Sequence, residues 1–217
     1  MAGLFVKDIR LLLQRKQTLI LFLVVALFMG FTMEGTFIIG YMSLIVVVFT
    51  IGTISFDEAD NCYPFLMTLP IKRSDYVKEK YIFCFLGGLC GWALSVVIYL
   101  IANISRGIPI DIGSELLKAA IYIPVLIVIC SVMISFQLKF GVEKSRIVTI
   151  ILCGGITAVG LVGSKLLKNT DIEMSVWIEK LNQVSGGVLL AISLLVAITI
   201  FIGSYLWSLS FMNKKEY

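Results

Sequence analysis

The segment Ser55–Tyr81, SFDEADNCYPFLMTLPIKRSDYVKEKY, is a charged interruption in a chain that is otherwise almost continuously apolar. Of the 217 residues, 59% are hydrophobic and 15% are charged, and the mean hydropathy is +1.00. A soluble domain of this length needs far more polar surface than this composition supplies. The sequence therefore predicts an integral membrane protein whose longest polar segment lies between two apolar runs.

Six apolar segments surround this polar segment, and each is close to the roughly 17–25 residues that a helix needs to cross a bilayer. Apolar residues occupy every helical face, whereas the strands of a barrel would alternate polar and apolar positions. We predict a single all-α integral membrane domain over 1–217, with six transmembrane helices at 18–33, 36–54, 81–105, 119–138, 147–164 and 184–209. Gly87-x-x-x-Gly91 favours close helix packing within the chain, and Pro124 is expected to kink the fourth span.

The positions of lysine and arginine predict the orientation. Thirteen of the 18 such residues lie in the N-terminal segment, the second-to-third loop, the fourth-to-fifth loop and the C-terminal tail. Because basic residues favour the cytoplasmic side, both termini and the polar segment are predicted to be cytoplasmic. The net charge of +4 suits anionic lipid headgroups, and nothing in the sequence indicates a nucleic-acid partner.

Several function classes lack the residues they require. The chain has no histidine, no Asp, Glu, Lys or Arg within the middle of a predicted span and no phosphate-binding Gly-x-x-x-x-Gly-Lys-Ser/Thr loop. The five cysteines, Cys62, Cys84, Cys90, Cys130 and Cys153, share no metal-ligand spacing and are expected to be small buried hydrophobes. We therefore predict no catalytic residue, no metal site and no cofactor bound by this chain, so that any nucleotide hydrolysis takes place on a partner.

The polar segment itself predicts a short amphipathic helix. Apolar side chains at i, i+3, i+4 and i+7 share one face, namely Cys62, Phe65, Leu66 and Leu69. Pro70 ends this helix, and Ser74 is expected to cap a second one that carries Asp75 in its first turn and leads into the third span. The apolar face fits either the lipid headgroup layer or a groove on a soluble partner, and the periodicity does not distinguish them.

Three parts of this region resemble a signature of permease subunits of type-2 ABC exporters. They are Phe56-Asp57-Glu58, Leu66-Met67-Thr68-Leu69-Pro70-Ile71-Lys72-Arg73 and Val77-x-x-Lys80-Tyr81. The chain is most similar to the small permeases that pair with separate ATPases in Gram-positive bacteria, which include the phenol-soluble modulin exporter and lantibiotic-immunity exporters. Asn61-Cys62-Tyr63-Pro64 departs from the pattern, since larger or charged residues often stand there.

The resemblance implies that the segment is a coupling helix that docks in a cleft of a separate ABC ATPase subunit, which carries the ATP and Mg²⁺. The ATPase contact would comprise Asp57, Glu58, Cys62, Phe65, Leu66, Leu69, Pro70 and Arg73. It further implies a dimer with a second permease copy or a paralogue, a location in the plasma membrane of a Gram-positive bacterium, and export of a substrate. An apolar wall suits a hydrophobic or amphipathic cargo, such as a membrane-active toxin or bacteriocin peptide.

Two other cytoplasmic segments are of interest. Residues 4–16 predict an amphipathic elbow helix in which Leu4, Leu11 and Leu12 are apolar, while Lys7, Asp8, Arg10 and Arg15 reach water or phosphate. The alternative is a plain positive flank that sets topology. A second ATPase contact is predicted at Phe140, Glu143 and Lys144, and the alternative there is a solvated loop.

Two alternative functions remain open at this point. One is a non-transporting membrane scaffold or sensor subunit of an ABC complex, which the sequence does not distinguish from a transporting subunit. The other is an intramembrane enzyme, although the chain lacks the histidine, the Gly-x-Ser-Gly sequence and the midplane carboxylate pair of the usual intramembrane enzymes.

Overall fold

The structure is a computed structural model that describes residues 2–32, 35–59, 72–107, 111–141, 144, 147 and 186–214. Every regular element in these ranges is a helix, which confirms the all-helical class. The helices are α1 Ala2–Gln14, α2 Lys16–Thr32, α3 Phe37–Ala59, α4 Arg73–Ser105, α5 Ile112–Ala120, α6 122–141 and α7 Gly186–Lys214.

The described helices account for most of the predicted spans. Four segments are long and apolar enough to cross a membrane: Phe37–Glu58, Arg73–Ser105, Ile112–Gly141 and Gly186–Asn213. A fifth is present if α1 and α2, which meet at an angle of 67°, form one broken span. The predicted span 147–164 lies outside the described residues except for Ile147, so the count of six and the orientation of the termini stay predictions.

Helices α3 and α4 pack closely along their length because α4 has glycines where α3 has valines. A Cβ atom built on Gly88 would lie 2.9 Å from Val47 Cγ2, and one built on Gly91 would lie 2.8 Å from Val46 Cβ. Both distances are too short for real carbon atoms, so only glycine permits this separation of the helices. The glycine pattern thus serves packing inside the chain, as the sequence indicates.

Helix α4 starts earlier than predicted. The expected cap at Ser74 is wrong: the N-cap is Lys72, with φ −75° and ψ 143°, and the helix runs without a break from Arg73 into the apolar span. Asp75 lies in its first turn as expected, where a negative charge stabilises the exposed amides. At 1.5 Å per residue this helix of 33 residues is about 50 Å long. It therefore exceeds the roughly 30 Å hydrocarbon core of a bilayer, and its charged first turns extend beyond that core.

The fourth predicted span is interrupted. Helix α5 ends at Ala120, and α6 starts after Ile121. Pro124 stands in the first turn of α6, where it has no amide hydrogen to donate to the carbonyl of Ala120. The missing bond accounts for the interruption, while the kink that the sequence predicts at this proline stays a prediction.

The buried side chains form two cores. One lies where α1, the last turns of α3, the first turns of α4 and the last turns of α6 and α7 meet; we call this region the basic end, since most of the lysines and arginines predicted to be cytoplasmic belong to it. Its core includes Ile54, Tyr76, Tyr81, Leu138 and Met212. The other core lies toward the opposite end, between α2, α3, α4 and α5, and includes Ala26, Ile39, Met42, Val96 and Ala119.

Candidate functional site

The basic end contains a buried ionic cluster, which we define as Lys7, Asp8, Asp57, Glu79 and Lys80. Its members come in adjacent pairs from α1 and α4, and Asp57 comes from the last turn of α3. The side chains of Asp8, Glu79 and Lys80 are fully enclosed, and that of Asp57 is 3% exposed. The cluster therefore joins the N-terminal helix to the two helices that flank the polar segment.

Lys80 is the centre of the cluster. Its ammonium group donates to Asp8 Oδ2, lies 3.0 Å from Asp57 Oδ2 and donates to Thr53 Oγ1 at 3.2 Å. These contacts use the three hydrogens of the ammonium group, as burial of this charge requires. A single lysine thus bonds α4 to α1 and to α3.

Asp57 is bonded on both of its carboxylate oxygens. Lys7 Nζ lies 2.5 Å from Oδ1, and the Tyr76 hydroxyl donates to Oδ2 at 2.9 Å. Removing one partner of a buried ion pair typically costs about 3–5 kcal/mol, because the other charge stays buried without compensation. Loss of any one of these charged side chains is therefore expected to destabilise the fold at this point.

Helix α1 faces the bundle with the side that carries Leu4, as the sequence suggests, but Asp8 lies on that side as well. The expectation that Asp8 reaches water is wrong: its side chain is fully buried, because it is bonded to Lys80 and Thr53. The exposed side carries Arg10 together with apolar residues, of which Val6, Ile9 and Leu13 are about half exposed. A signal was present in the sequence, since Asp8 is four residues from Leu4 and lies on the same helical face.

Glu58 makes a separate contact with α6. A Cβ atom built on Gly141, where the continuously described part of that helix ends, would overlap the Glu58 carboxylate. Gly141 also has a φ of 76°, which a residue with a side chain adopts only at a cost. Glycine is thus required at this position both for the backbone and for the approach of Glu58.

Arg73 bonds the start of α4 to the end of α7. Its Nη1 donates to the main-chain oxygens of Met212 at 3.2 Å and Asn213 at 3.1 Å. The last carbonyl groups of a helix have no partner within the helix and carry a partial negative charge, so a guanidinium group satisfies and stabilises them.

A cluster of hydroxyl groups lies one residue beyond Lys80. The Tyr81 hydroxyl is 3.0 Å from Ser135 Oγ, 2.6 Å from Ser204 Oγ and 2.9 Å from Ser208 Oγ. It links α4 to α6 and α7 among apolar side chains. This group was not predicted from the sequence, although serines four residues apart in an apolar helix indicate a polar contact on one face.

The comparison with protein families agrees with this architecture. The family model described as ABC-2 family transporter protein matches residues 3–213, which is nearly the whole chain. The chain belongs to this family. It is accordingly a multi-pass permease subunit of an ABC transporter, a membrane component that associates with an ABC ATPase and is not itself catalytic. Searches of curated proteins and of solved structures gave no match.

Several residues predicted to contact the ATPase of this ABC-2 permease lie outside the described residues: Cys62, Phe65, Leu66, Leu69, Pro70 and Glu143. The described ones, Asp57, Glu58 and Arg73, approach α1, α6 and α7 of their own chain. Their role at the ATPase surface stays a prediction. Their positions show that both ends of the polar segment are attached to the helix bundle.

The second predicted contact of the permease lies at the end of α6. Lys144 is exposed, and Phe140 is 38% exposed with its ring stacked on Phe136 at 5.8 Å. Beside them, the Lys139 ammonium lies 4.6–4.7 Å from the rings of Phe140, Trp207 and Phe211. These cation–π contacts hold the ends of α6 and α7 together, and the ATPase contact at this surface stays a prediction.

The described cysteines of the permease differ in exposure. Cys84 and Cys130 are buried as expected, and the Cys130 thiol lies 4.0 Å from the Cys84 carbonyl oxygen. Cys90 is exposed, contrary to the expectation that it is buried. Within the ranges that the structure describes, no group of three or more acidic or cysteine side chains is arranged to hold a metal ion.

Proposed function

We propose that this permease exports a hydrophobic or amphipathic substrate, of which a membrane-active peptide such as a toxin or bacteriocin is the best candidate, and that an ATPase drives it through residues 57–73. The apolar side chains of Phe65, Leu66 and Leu69 would be the anchor in the ATPase cleft, since central apolar anchors dominate interface energy. ATP and Mg²⁺ would be held by the ATPase.

One observation carries the coupling part of this proposal. The ends of the 57–73 segment are attached to four other parts of the bundle: Asp57 to α1 and α4, Glu58 to the end of α6 and Arg73 to the end of α7. A displacement of the segment by the ATPase would therefore act on several helices together. Packed helices shift as units and not by continuous deformation, so such attachments transmit a movement over a distance.

The lining of the spans supports the proposed class of substrate. A cleft of about 340 Å³ between α4, α6 and α7 is lined only by apolar side chains: Ile82, Phe85, Leu86, Ile127, Ile198 and Phe201. A second, of about 240 Å³, lies between α3 and the α5–α6 region. A highly charged cargo would lose its hydration beside such surfaces without any counter-charge. A second copy of the permease or a paralogue would complete the route.

The experiment uses the permease co-expressed with its ATPase in inside-out vesicles. Leu66→Glu and Leu69→Glu place a charge on the proposed anchor, and Lys118→Gln, which removes an exposed charge on the side predicted to lie away from the ATPase, is the control. We expect both glutamate variants to insert normally, to fail to retain the ATPase in pull-down and to lose ATP-dependent uptake of an amphipathic peptide. Unchanged retention would overturn the proposed contact. Retention by the wild type without movement of any peptide would instead indicate a scaffold or sensor subunit.

A further inference from the structure

The ionic cluster contains acceptor atoms that no donor satisfies. Among the described residues, both carboxyl oxygens of Glu79 and Asp8 Oδ1 are buried and form no hydrogen bond, although the Lys7 ammonium group lies 3.3 Å from Asp8 Oδ1. The Glu79 side chain is fully enclosed, and its nearest ammonium, that of Lys80, lies 3.9 Å from Oε2. Leaving a buried polar group without a bond typically costs about 1–3 kcal/mol, and more for a charged group. Three such atoms in one cluster require a physical explanation.

The charges of the cluster do not balance if every acid is ionised. Three carboxyl groups, of Asp8, Asp57 and Glu79, face two ammonium groups, of Lys7 and Lys80. Lys80 is committed to Asp8 and Asp57, and Lys7 lies 2.5 Å from Asp57 and 3.3 Å from Asp8. One negative charge is thus left on Glu79 in an enclosed position, where an uncompensated charge is costly.

We propose that Asp8 and Glu79 together hold one proton, as a hydrogen bond from the Glu79 carboxyl group to Asp8 Oδ1. Both side chains lie beside the same ammonium group, because Lys80 Nζ is bonded to Asp8 Oδ2 and is 3.9 Å from Glu79 Oε2. Protonation turns one Glu79 oxygen into a donor, gives Asp8 Oδ1 its missing partner and makes the cluster electrically neutral. No oxidant, reductant or further ligand is needed, since only a proton is taken up.

The surroundings favour a proton over a metal ion. The charged and titratable groups near Glu79 come from the three helices that meet at the ionic cluster. They are Lys7 and Asp8 of α1, Asp57 of α3, and Tyr76 and Lys80 of α4. The two ammonium groups already contact Asp8 and Asp57, so Glu79 is the one carboxyl group of the cluster without a close cation, which is fewer oxygen ligands than a metal ion takes. The carboxyl groups at which α1 meets α4 therefore form a proton-binding site. This proposal does not depend on the proposed substrate or on the ATPase contact.

The test uses the full-length permease in lipid nanodiscs at neutral pH. Infrared spectra of the wild type should show the carbonyl stretch of a protonated carboxyl group, with a shift in D₂O. Glu79→Gln should remove this band and leave the midpoint of thermal unfolding unchanged, because the amide donates the same bond. Glu115→Gln is the matched control: that carboxylate is bonded to Lys118 and Tyr99, and its substitution should leave the band intact.

Three results would overturn the proposal. The first is a wild-type spectrum without the band. The second is a Glu79→Gln variant as unstable as Lys80→Met, which would mean that the ionised form of Glu79 is needed. The third is stabilisation of the wild type, but not of Glu79→Gln, by sodium chloride over choline chloride, which would identify a cation site. If Glu79→Gln does not express, Glu79→Asp should shift the band, and an unshifted band would assign the proton elsewhere.

Discussion

Arg73 Nη1 donates to the main-chain oxygen of Asn213 at 3.1 Å, across 140 positions of sequence. The bond joins the residue at which the polar segment meets α4 to the last turn of α7. Arg73 is also the final residue of the motif that suggested an ATPase contact. Its observed partners lie in its own chain, and they fix the position at which the segment meets the bundle.

Arg73→Gln should therefore loosen the end of α7. Hydrogen bonds from a charged donor contribute about 1.5–3 kcal/mol to the free energy of unfolding when they are shielded from water. Because Arg73 is partly exposed, we expect the substitution to lower that free energy by an amount near the lower bound. Thermal unfolding of the purified permease measures the loss, and limited proteolysis should cut sooner near Asn213. Arg10→Gln, an exposed arginine on α1, is the control. Equal protease sensitivity of the two variants would contradict the assigned contact.

Lys80→Met should destabilise the permease more than Arg73→Gln does. It leaves Asp8 and Asp57 buried with too few cations, and breaking a buried ion pair costs about 3–5 kcal/mol. Lys78→Met changes an exposed lysine of the same helix, where surface substitutions shift stability by about 0.5 kcal/mol or less. The midpoints of thermal unfolding of both lysine variants provide the comparison. A Lys80 variant as stable as the Lys78 variant would show that the cluster contributes little.

The sequence predicted the individual helices well because each span is a continuous apolar run that can be recognised without knowledge of its neighbours. Helices α3, α4 and α7 coincide with apolar runs, and the glycines of α4 indicate its close packing with α3. The predicted boundary of α4 was wrong because its charged first turns belong to the same helix as the apolar span. The N-cap is therefore Lys72 and not Ser74.

The ionic cluster was not predictable in the same way. Asp8 and Lys80 are separated by 72 positions, and Lys7 and Asp57 by 50. Hydropathy assigns a charged residue to water unless its partner is known, so Asp8 was expected on the exposed face. Family resemblance likewise identified Asp57 and Lys80 as motif residues but did not indicate that they bond to each other.

Gly141→Ala should destabilise the end of α6 for two reasons. Its φ of 76° is a left-handed conformation that costs other residues about 1–2 kcal/mol, and the new methyl group would meet the Glu58 carboxylate. Gly203→Ala is the control, since a Cβ there has nothing within 4 Å and lies inside a helix, where alanine is favoured over glycine by about 0.5–1 kcal/mol.

The steric part of the Gly141 effect can be separated from the backbone part. Adding Glu58→Ala to Gly141→Ala removes the carboxylate that the methyl group would meet, so the double variant should be more stable than the two single effects predict. Chemical denaturation of all four proteins gives the coupling. Strict additivity would mean that Glu58 does not approach Gly141 and that only the backbone conformation matters.

Tyr81→Phe should weaken the contact of α4 with α6 and α7 by about 1 kcal/mol, the usual net contribution of a neutral hydrogen bond. The loss is limited because Ser135 keeps bonds to Ser204 at 2.6 Å and to Ser208 at 3.0 Å, so no hydroxyl group is left unpaired. Ser193→Ala, whose hydroxyl group bonds the carbonyl of Leu190 in its own helix, should change the unfolding midpoint less. If both variants lose the same stability, the Tyr81 hydroxyl group does not hold the helices together. The packing would then come from the Tyr81 ring alone, which lies edge-on to Phe201 with ring centroids 5.3 Å apart.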